Sequence, residues 1–202
     1  MKNIIKNTII LFVITLIAGV LLGAVYEVTK DARAEQERKT TEKAYKTVFK
    51  NAETFDTAEY DKDGLSNYLK ENGYSESTAY INDVVEAKSN SGESLGYVIT
   101  ATDKNGYGGD ITFTLGITSD GVINGIAFLT LDETAGMGMK AKDNAFKSQF
   151  EGLEASSYDT AMDSYQNNGI DAISGATITT KAVANGVNAG VLCFKYLTGG
   201  AE

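Results

Sequence analysis

The chain has 202 residues, none of them histidine, and a single cysteine, Cys193. Without histidine the chain lacks the usual general base of a Ser–His site and the commonest protein ligand of metals. One cysteine cannot build an internal disulfide framework or hold an iron–sulfur cluster. Any redox or group-transfer chemistry is therefore expected to reside in a bound cofactor.

Basic charge is also scarce, because 18 lysines and arginines face 27 aspartates and glutamates, for a net charge of −9. A nucleic-acid-binding protein would carry a basic stripe, and the sequence contains none, so no nucleic acid is expected as a partner. Hydrophobic residues make up 43% of the chain and charged residues 22%, which predicts a packed core. Cys193 lies in an apolar run and is expected to be buried.

Residues 7–26 contain no charged side chain over 20 positions. At about 1.5 Å per residue, a helix of this length crosses a bilayer core of about 30 Å. A cleaved signal peptide is the alternative, with Ala32-Arg33-Ala34 as its cleavage site, but the apolar region of a signal peptide is typically only about 7–15 residues long. We predict an uncleaved transmembrane anchor over residues 1–29.

The charges on either side of this span predict its orientation. Lys2 and Lys6 precede it, which favours a cytoplasmic N-terminus in a single-pass protein of the cell (inner) membrane. Residues 27–202 carry 16 of the 18 basic residues and all 27 acidic residues, so their net charge is −11. The main domain is therefore predicted to be extracytoplasmic.

Residues 30–78 are predicted to form a helical connector. Residues 31–50 are rich in Ala, Glu, Lys and Arg, with acid–base pairs four residues apart, as in a solvated helix. Leu65 and Leu69 indicate a short amphipathic helix that ends at residues 72–73.

Beyond this connector the apolar pattern changes to the period of strands, and an antiparallel meander of about four strands is predicted. The strands cover residues 84–88, 95–102, 110–117 and 122–129. Helical stretches are predicted at residues 141–149 and 158–165, and a last helix at residues 178–197. On this last helix, Gly186 and Gly190 are expected to allow close approach to the sheet.

The sequence Asp-Ala-Ile-Ser-Gly-Ala-Thr at residues 171–177 stands directly before the last helix. Its small residues leave room for a large group to approach the backbone, and Thr177 places a hydroxyl at or near the helix N-terminus. Free N–H groups and the positive end of the helix dipole favour an anion there, above all a phosphate. On loop chemistry alone, ordinary helix capping by Thr177 is the alternative.

This segment resembles the Asp-x-x-Ser-Gly-Ala-Thr flavinylation motif of the covalent FMN-binding domain family. That family includes the G subunit of the Rnf electron-transport complex and the C subunit of the sodium-pumping NADH:quinone reductase. The resemblance implies that Thr177 carries covalent FMN as a phosphoester, attached by a dedicated flavin transferase. It also implies four recognition residues for this attachment, Asp171, Ser174, Gly175 and Ala176.

Two further segments resemble the same family. Residues 106–109 match its Gly-Tyr-Gly-Gly segment, and residues 133–138 are similar to its Glu-Thr-Pro-Gly-Leu-Gly segment, with Ala135 and Met137 in place of Pro and Leu. The resemblance implies that both segments line the flavin pocket, where Tyr107 or Met137 packs on the isoalloxazine ring. Polar contacts are expected from Glu133 and Thr134, and close backbone approach at Gly108, Gly109, Gly136 and Gly138.

The resemblance implies an α+β protein, in which an N-terminal transmembrane helix is followed by an antiparallel-sheet FMN-binding domain with packed helices over residues 79–202. It implies a membrane-anchored electron-transfer subunit that relays electrons, with other membrane subunits, in an ion-translocating ferredoxin:NAD oxidoreductase complex. No catalytic residue of its own is visible, so an enzymatic description fits only the whole complex. Two alternatives remain: an FMN electron carrier for a different extracytoplasmic reductase, and a non-redox membrane-anchored binding module.

Overall fold

The computed structural model describes residues 2–199, and the chain divides after Thr41 into two compact units. The first unit is helical and consists of most of helix α1 (Lys2–Val48), whose large apolar side chains between Ile4 and Val28 are exposed. The most apolar 18-residue window of α1 has a mean hydropathy of 2.8, and none of it is buried. By length and composition, α1 can therefore cross a membrane.

The second unit is built on a five-stranded antiparallel sheet in which neighbouring strands follow chain order. The strands are β1 (Thr54–Thr57), β2 (Ala79–Lys88), β3 (Ser94–Asp103), β4 (Ile111–Thr118) and β5 (Ile123–Thr130). The predicted meander is confirmed in β2 to β5, but its count of four strands is wrong, because β1 adds a fifth strand beside β2. β1 has four residues, three of them exposed, and lies within the segment for which the sequence predicts a helical connector.

One face of the sheet is covered by helix α4 (Thr177–Leu197), whose residues between Thr179 and Phe194 are buried with one exception. The alternation in β4 places Ile111, Phe113, Leu115 and Ile117, all fully buried, in the same core as α4. A Cβ at Gly190 would lie 2.6 Å from Leu115 Cδ2, so the predicted close approach of this helix is confirmed. Cys193 is buried, as expected.

The opposite face of the sheet is covered by the last turns of α1. Tyr45 and Val48 lie with Val85 of β2 and Val98 of β3 in a second apolar cluster. The predicted amphipathic helix is present as α2 (Lys62–Glu71), which buries its leucines and packs beside α4. The sheet is therefore sandwiched between helices, as an α+β fold requires.

The chain after β5 is helical only in short pieces. They are a 3-10 helix (Gly138–Lys142), α3 (Asn144–Lys147) and a second 3-10 helix (Ser148–Phe150). The helix predicted at residues 141–149 is thus present in broken form. Buried Phe146 and Phe150 hold this segment against the core.

The prediction of a helix at residues 158–165 is wrong, since the nearest helical turn is a 3-10 turn that begins at the end of this range (Tyr165–Asn168). Side chains compete with helical hydrogen bonds in this segment. The Asp159 N–H donates to Asn168 Oδ1 at 2.8 Å, and Asp163 adopts a left-handed backbone conformation with φ of 60°. These local bonds give the chain an irregular path between two buried tyrosines.

Candidate functional site

Three loops meet at the N-terminus of α4. Two of them are the β3–β4 loop and the segment that follows β5. They lie together because, in the antiparallel sheet, β3 ends, β4 begins and β5 ends at the same end of the strands. The third is the segment that runs into α4. Together they enclose a cavity of about 460 Å³ lined by Tyr107, Glu133, Thr134, Met137, Gly138, Gly175, Ala176, Thr177, Ile178 and Thr179.

Three threonines at the start of α4 differ in their environment. Thr179 and Thr180 are buried, and their hydroxyls donate to Glu133 Oε2 and to the Ala176 carbonyl oxygen, each at 3.0 Å. Thr177 is exposed on the cavity wall, and its hydroxyl forms no hydrogen bond within the part of the chain that the structure describes. Of these three threonines, Thr177 is therefore the one whose hydroxyl is free to react.

The N-terminus of α4 has the properties of an anion site. Ala176 is the N-cap residue and Thr177 the first helical residue, so the Thr177 hydroxyl is not a capping group. The first hydrogen bond of the helix runs from Thr180 N to the Ala176 carbonyl oxygen at 3.0 Å. The N–H groups of the preceding turn lie at the positive end of the helix and suit a phosphate.

Glu133 ties the loops of the cavity to the helix. Its Oε1 accepts a hydrogen bond from Gly108 N at 3.3 Å, and its Oε2 accepts the one from Thr179. Gly138 leaves space for this arrangement, because a Cβ there would lie 2.6 Å from both Glu133 Oε2 and Thr179 Oγ1. Because both carboxylate oxygens have protein donors, Glu133 fixes the shape of the cavity.

The rim of the cavity is apolar and exposed. Tyr107, Met137 and Ile178 are 70%, 45% and 51% exposed. Outside α1, these are three of the four large hydrophobic side chains that are exposed among the described residues. An apolar rim above an anion site fits a flat aromatic ring that carries a phosphate, such as FMN.

The predicted site residues divide into two groups. Thr177, Gly175, Ala176, Glu133, Thr134 and Gly138 line the cavity. Asp171, Ser174, Gly109 and Gly136 are exposed beside it and do not line it, and Gly108 contacts Glu133 through its N–H. The sequence did not indicate Ile178, Thr179 and Thr180, which are identified only by the turn of the helix and the long-range bond to Glu133.

Two known families match the chain. Residues 106–191 match the FMN-binding domain, and residues 1–48 match the RnfG N-terminal region. The first match includes all the residues that line the cavity.

The chain is 33% identical over 200 residues to the G subunit of the Na(+)-translocating ferredoxin:NAD(+) oxidoreductase complex of Acetobacterium woodii, and the alignment covers 98% of this chain and 94% of that protein. The chain belongs to the family of G subunits of ion-translocating oxidoreductase complexes. The G subunit of the proton-translocating complex of Clostridium ljungdahlii is 28% identical over 91% of this chain and 88% of its own length. The G subunit of the ion-translocating complex of Methanosarcina acetivorans is 31% identical and aligns over 94% of each chain.

Among solved structures, NqrC of Shewanella oneidensis matches this chain with a TM-score of 0.50 at 21% identity, over 75% of this chain and 71% of that chain. At this identity the likeness concerns the fold, and it confirms the predicted α+β architecture. The FMN-binding domain match confirms FMN as the predicted cofactor. With α1 at its N-terminus, this member of the G-subunit family is membrane-anchored.

Proposed function

We propose that this protein is a membrane-anchored electron-transfer subunit whose FMN is joined through its phosphate to Thr177 Oγ. The observation that carries the proposal is the environment of Thr177. Its hydroxyl is exposed and unbonded at a helix N-terminus, whereas the two neighbouring threonines are buried and engaged. A phosphoester at this position would keep the phosphate beside the free N–H groups of the first turn.

The residues around Thr177 have distinct roles in this proposal. Gly175 and Ala176 leave the helix N-terminus open to the phosphate, while Tyr107, Met137 and Ile178 supply apolar surface for the ring. Glu133, Thr134 and Gly138 shape the polar wall of the cavity. When bound, FMN supplies the exchange of electrons, and no catalytic side chain of the protein is required for it.

The partners follow from the family. The relatives are named as subunits of Na(+)-translocating and proton-translocating ferredoxin:NAD(+) oxidoreductase complexes. We infer that this chain relays electrons in such a complex, in contact with the other membrane subunits, after a flavin transferase has modified it. Both ions occur among these relatives, so the proposal covers ion translocation in general.

The division and orientation of the chain belong to the same proposal. Residues 1–29 form the anchor and residues 79–202 the extracytoplasmic FMN-binding domain, to whose sheet and core the connector, residues 30–78, contributes β1 and α2. The N-terminus is cytoplasmic, because Lys2 and Lys6 precede the uncharged span. The acidic main domain supports the outer location.

Substitution of the acceptor tests the proposal. The full-length chain is co-expressed with a flavin transferase, and covalent flavin is measured by fluorescence in a denaturing gel. Thr177→Ala should abolish the signal, and Thr177→Ser should retain part of it because the hydroxyl remains. Thr57→Ala, which removes an exposed threonine of β1, should leave the signal unchanged. Covalent flavin in Thr177→Ala would contradict the proposal.

A further inference from the structure

We propose that Gln149 is a positioning residue for flavin attachment, because it fixes the backbone of Asp171 and so the direction in which the Asp171 side chain leaves the loop. The inference rests on the proposed function of Thr177. It assigns a role to a residue that lies 22 positions before Asp171 and belongs to none of the three matching sequence segments. Gln149 is not a catalytic residue, since its effect on Thr177 passes through the loop.

The contact between Gln149 and Asp171 has two points. The side-chain oxygen Oε1 of Gln149 accepts a hydrogen bond from Asp171 N at 2.7 Å. Its Nε2 donates to the Asp171 carbonyl oxygen at 3.4 Å. A glutamine amide that meets both the N–H and the C=O of one residue copies the pairing of a β-strand and fixes the peptide planes on both sides.

Gln149 is itself held in place. It lies in the short 3-10 helix between the aromatic residues Phe146 and Phe150, whose ring centroids are 5.5 Å apart at an interplanar angle of 79°. Phe150 is fully buried, and Phe146 is 4% exposed. Gln149 therefore extends from a segment that is held in the core. Its two hydrogen bonds to the Asp171 backbone are called the clamp below.

The rest of the loop is fixed by other contacts. Ile170 and Ile173 are buried on either side of Asp171, and Ile173 N donates to the Thr180 hydroxyl at 3.0 Å. These contacts determine the path of the loop but not the rotation of the peptide planes at Asp171. Among the residues of the described chain that lie outside α4, Gln149 is the one whose side chain hydrogen-bonds to residues 171–176.

The clamp leaves the recognition side chains free. Asp171 and Ser174 are exposed, and with Gln149 they line a surface groove separate from the cavity at Thr177. Gln149 does not line that cavity, so it has no direct contact with a group bound there. Its expected effect is on the encounter with the transferase, because it fixes the orientation of the Asp171 Cα–Cβ bond from which the carboxylate extends.

The attachment step shows why such positioning matters. The Thr177 hydroxyl attacks the phosphorus on the FMN side of a flavin dinucleotide, so an Oγ–P bond forms and the P–O bond of the pyrophosphate breaks. A nucleoside monophosphate leaves with the electron pair, and the hydroxyl proton passes to a base of the transferase. A transferase that binds Asp171 can place Thr177 for this attack only if the loop between them has one conformation.

A double-mutant cycle tests the inference. Full-length protein in detergent is incubated with purified flavin transferase and FAD, and the second-order rate constant of covalent labelling is measured. We expect Gln149→Ala to lower it about tenfold, and Gln149→Glu less, because a carboxylate still accepts from Asp171 N. In an Asp171→Ala background, Gln149→Ala should cause little further loss. The control Gln166→Ala, an exposed glutamine elsewhere, should label at the wild-type rate.

Hydrogen exchange of the unlabelled protein gives a second readout. The Asp171 amide should exchange faster in Gln149→Ala, while amides of α4 keep their protection. Two results would overturn the inference: a wild-type labelling rate in Gln149→Ala, or a loss that multiplies fully with that of Asp171→Ala. If instead the wild-type protein itself is not labelled, the proposed function of Thr177 fails, which separates the two tests.

Discussion

Glu133 is nearly buried, at 9% exposure, and its two oxygens hold the donors Gly108 N and Thr179 Oγ in place. Removing the carboxylate leaves both donors without a partner, and each unsatisfied group carries a desolvation cost. We expect Glu133→Ala to lower the free energy of unfolding by about 2 kcal/mol. Glu133→Gln should cost less than about 1 kcal/mol, because the amide oxygen can accept from Gly108 N while the amide nitrogen donates to the Thr179 hydroxyl oxygen.

Urea unfolding of the full-length protein in detergent measures both variants. Glu93→Ala provides the control, since it removes an exposed glutamate far from the cavity in sequence. Equal stability of Glu133→Ala and Glu93→Ala would show that Glu133 does not hold the loops together.

Asp103, at the end of β3, is the second buried carboxyl group with a testable consequence. It is fully buried, its Oδ1 accepts from Asn105 N at 2.7 Å, and its Oδ2 has no partner in the described structure. Burial raises the pKa of Asp103 from 3.8 to about 6. The folded protein therefore favours the protonated form more than the unfolded chain does.

The sign of the pH dependence follows from that shift. Because the folded pKa of Asp103 is raised, its contribution to stability is present below about pH 4 and is lost as the pH rises through about 6. Asp103→Asn removes this titration. Relative to the variant, the wild-type protein should lose roughly 2 kcal/mol of unfolding free energy between pH 4 and pH 7. A difference between the two proteins that stays constant over this range would contradict the assignment.

At the scale of elements, the packing of α4 on the sheet depends on its glycines. A Cβ at Gly186 would lie 2.8 Å from two ring atoms of Phe113, which is fully buried and stacks edge-on against Phe128. Alanine favours a helix over glycine by about 1 kcal/mol, but overpacking a core costs typically 1–3 kcal/mol. We expect Gly186→Ala to lower the melting temperature, and an increase would show that the helix is not held this close.

The elements that could be predicted are those with a local pattern. Strands β2 to β5 alternate or form apolar runs, and α4 has an apolar face of several turns after a loop of small residues. Strand β1 has only four residues, so its pairing with β2 depends on the sheet and not on its own sequence. The clamp between Gln149 and Asp171 joins distant segments, and no local spacing predicts it.

The site, like the fold, could be predicted where a local sequence pattern exists and not where distant segments meet. A resemblance at residues 171–177 indicated Thr177, and the structure adds why this hydroxyl differs from Thr179 and Thr180. Those two are buried by the turn of the helix, which sequence alone does not orient against the loops. The hydrogen bond between Glu133 and Thr179 could not be predicted for the same reason, because its partners are 46 residues apart in the sequence.

At the scale of the whole molecule, the orientation in the membrane can be tested with a single introduced cysteine. Cys193 is buried, which raises the pKa of its thiol and keeps reagents from reaching it. The native chain should therefore give no background labelling by maleimide. Ser91→Cys, in the exposed turn after β2, should react with a membrane-impermeant maleimide in intact spheroplasts. Asn3→Cys should react only after lysis, and the reverse pattern would contradict an extracytoplasmic main domain.

The proposed phosphoester between FMN and Thr177 can be tested on the protein as its own cells make it. The most direct measurement is the intact mass of the protein purified from the membrane of its own cells, followed by peptide mapping. We expect the mass to increase by one FMN less one water, with the increase located on the peptide that contains Thr177. An unmodified mass in cells that contain an active flavin transferase, or the same increase on a different peptide, would contradict it.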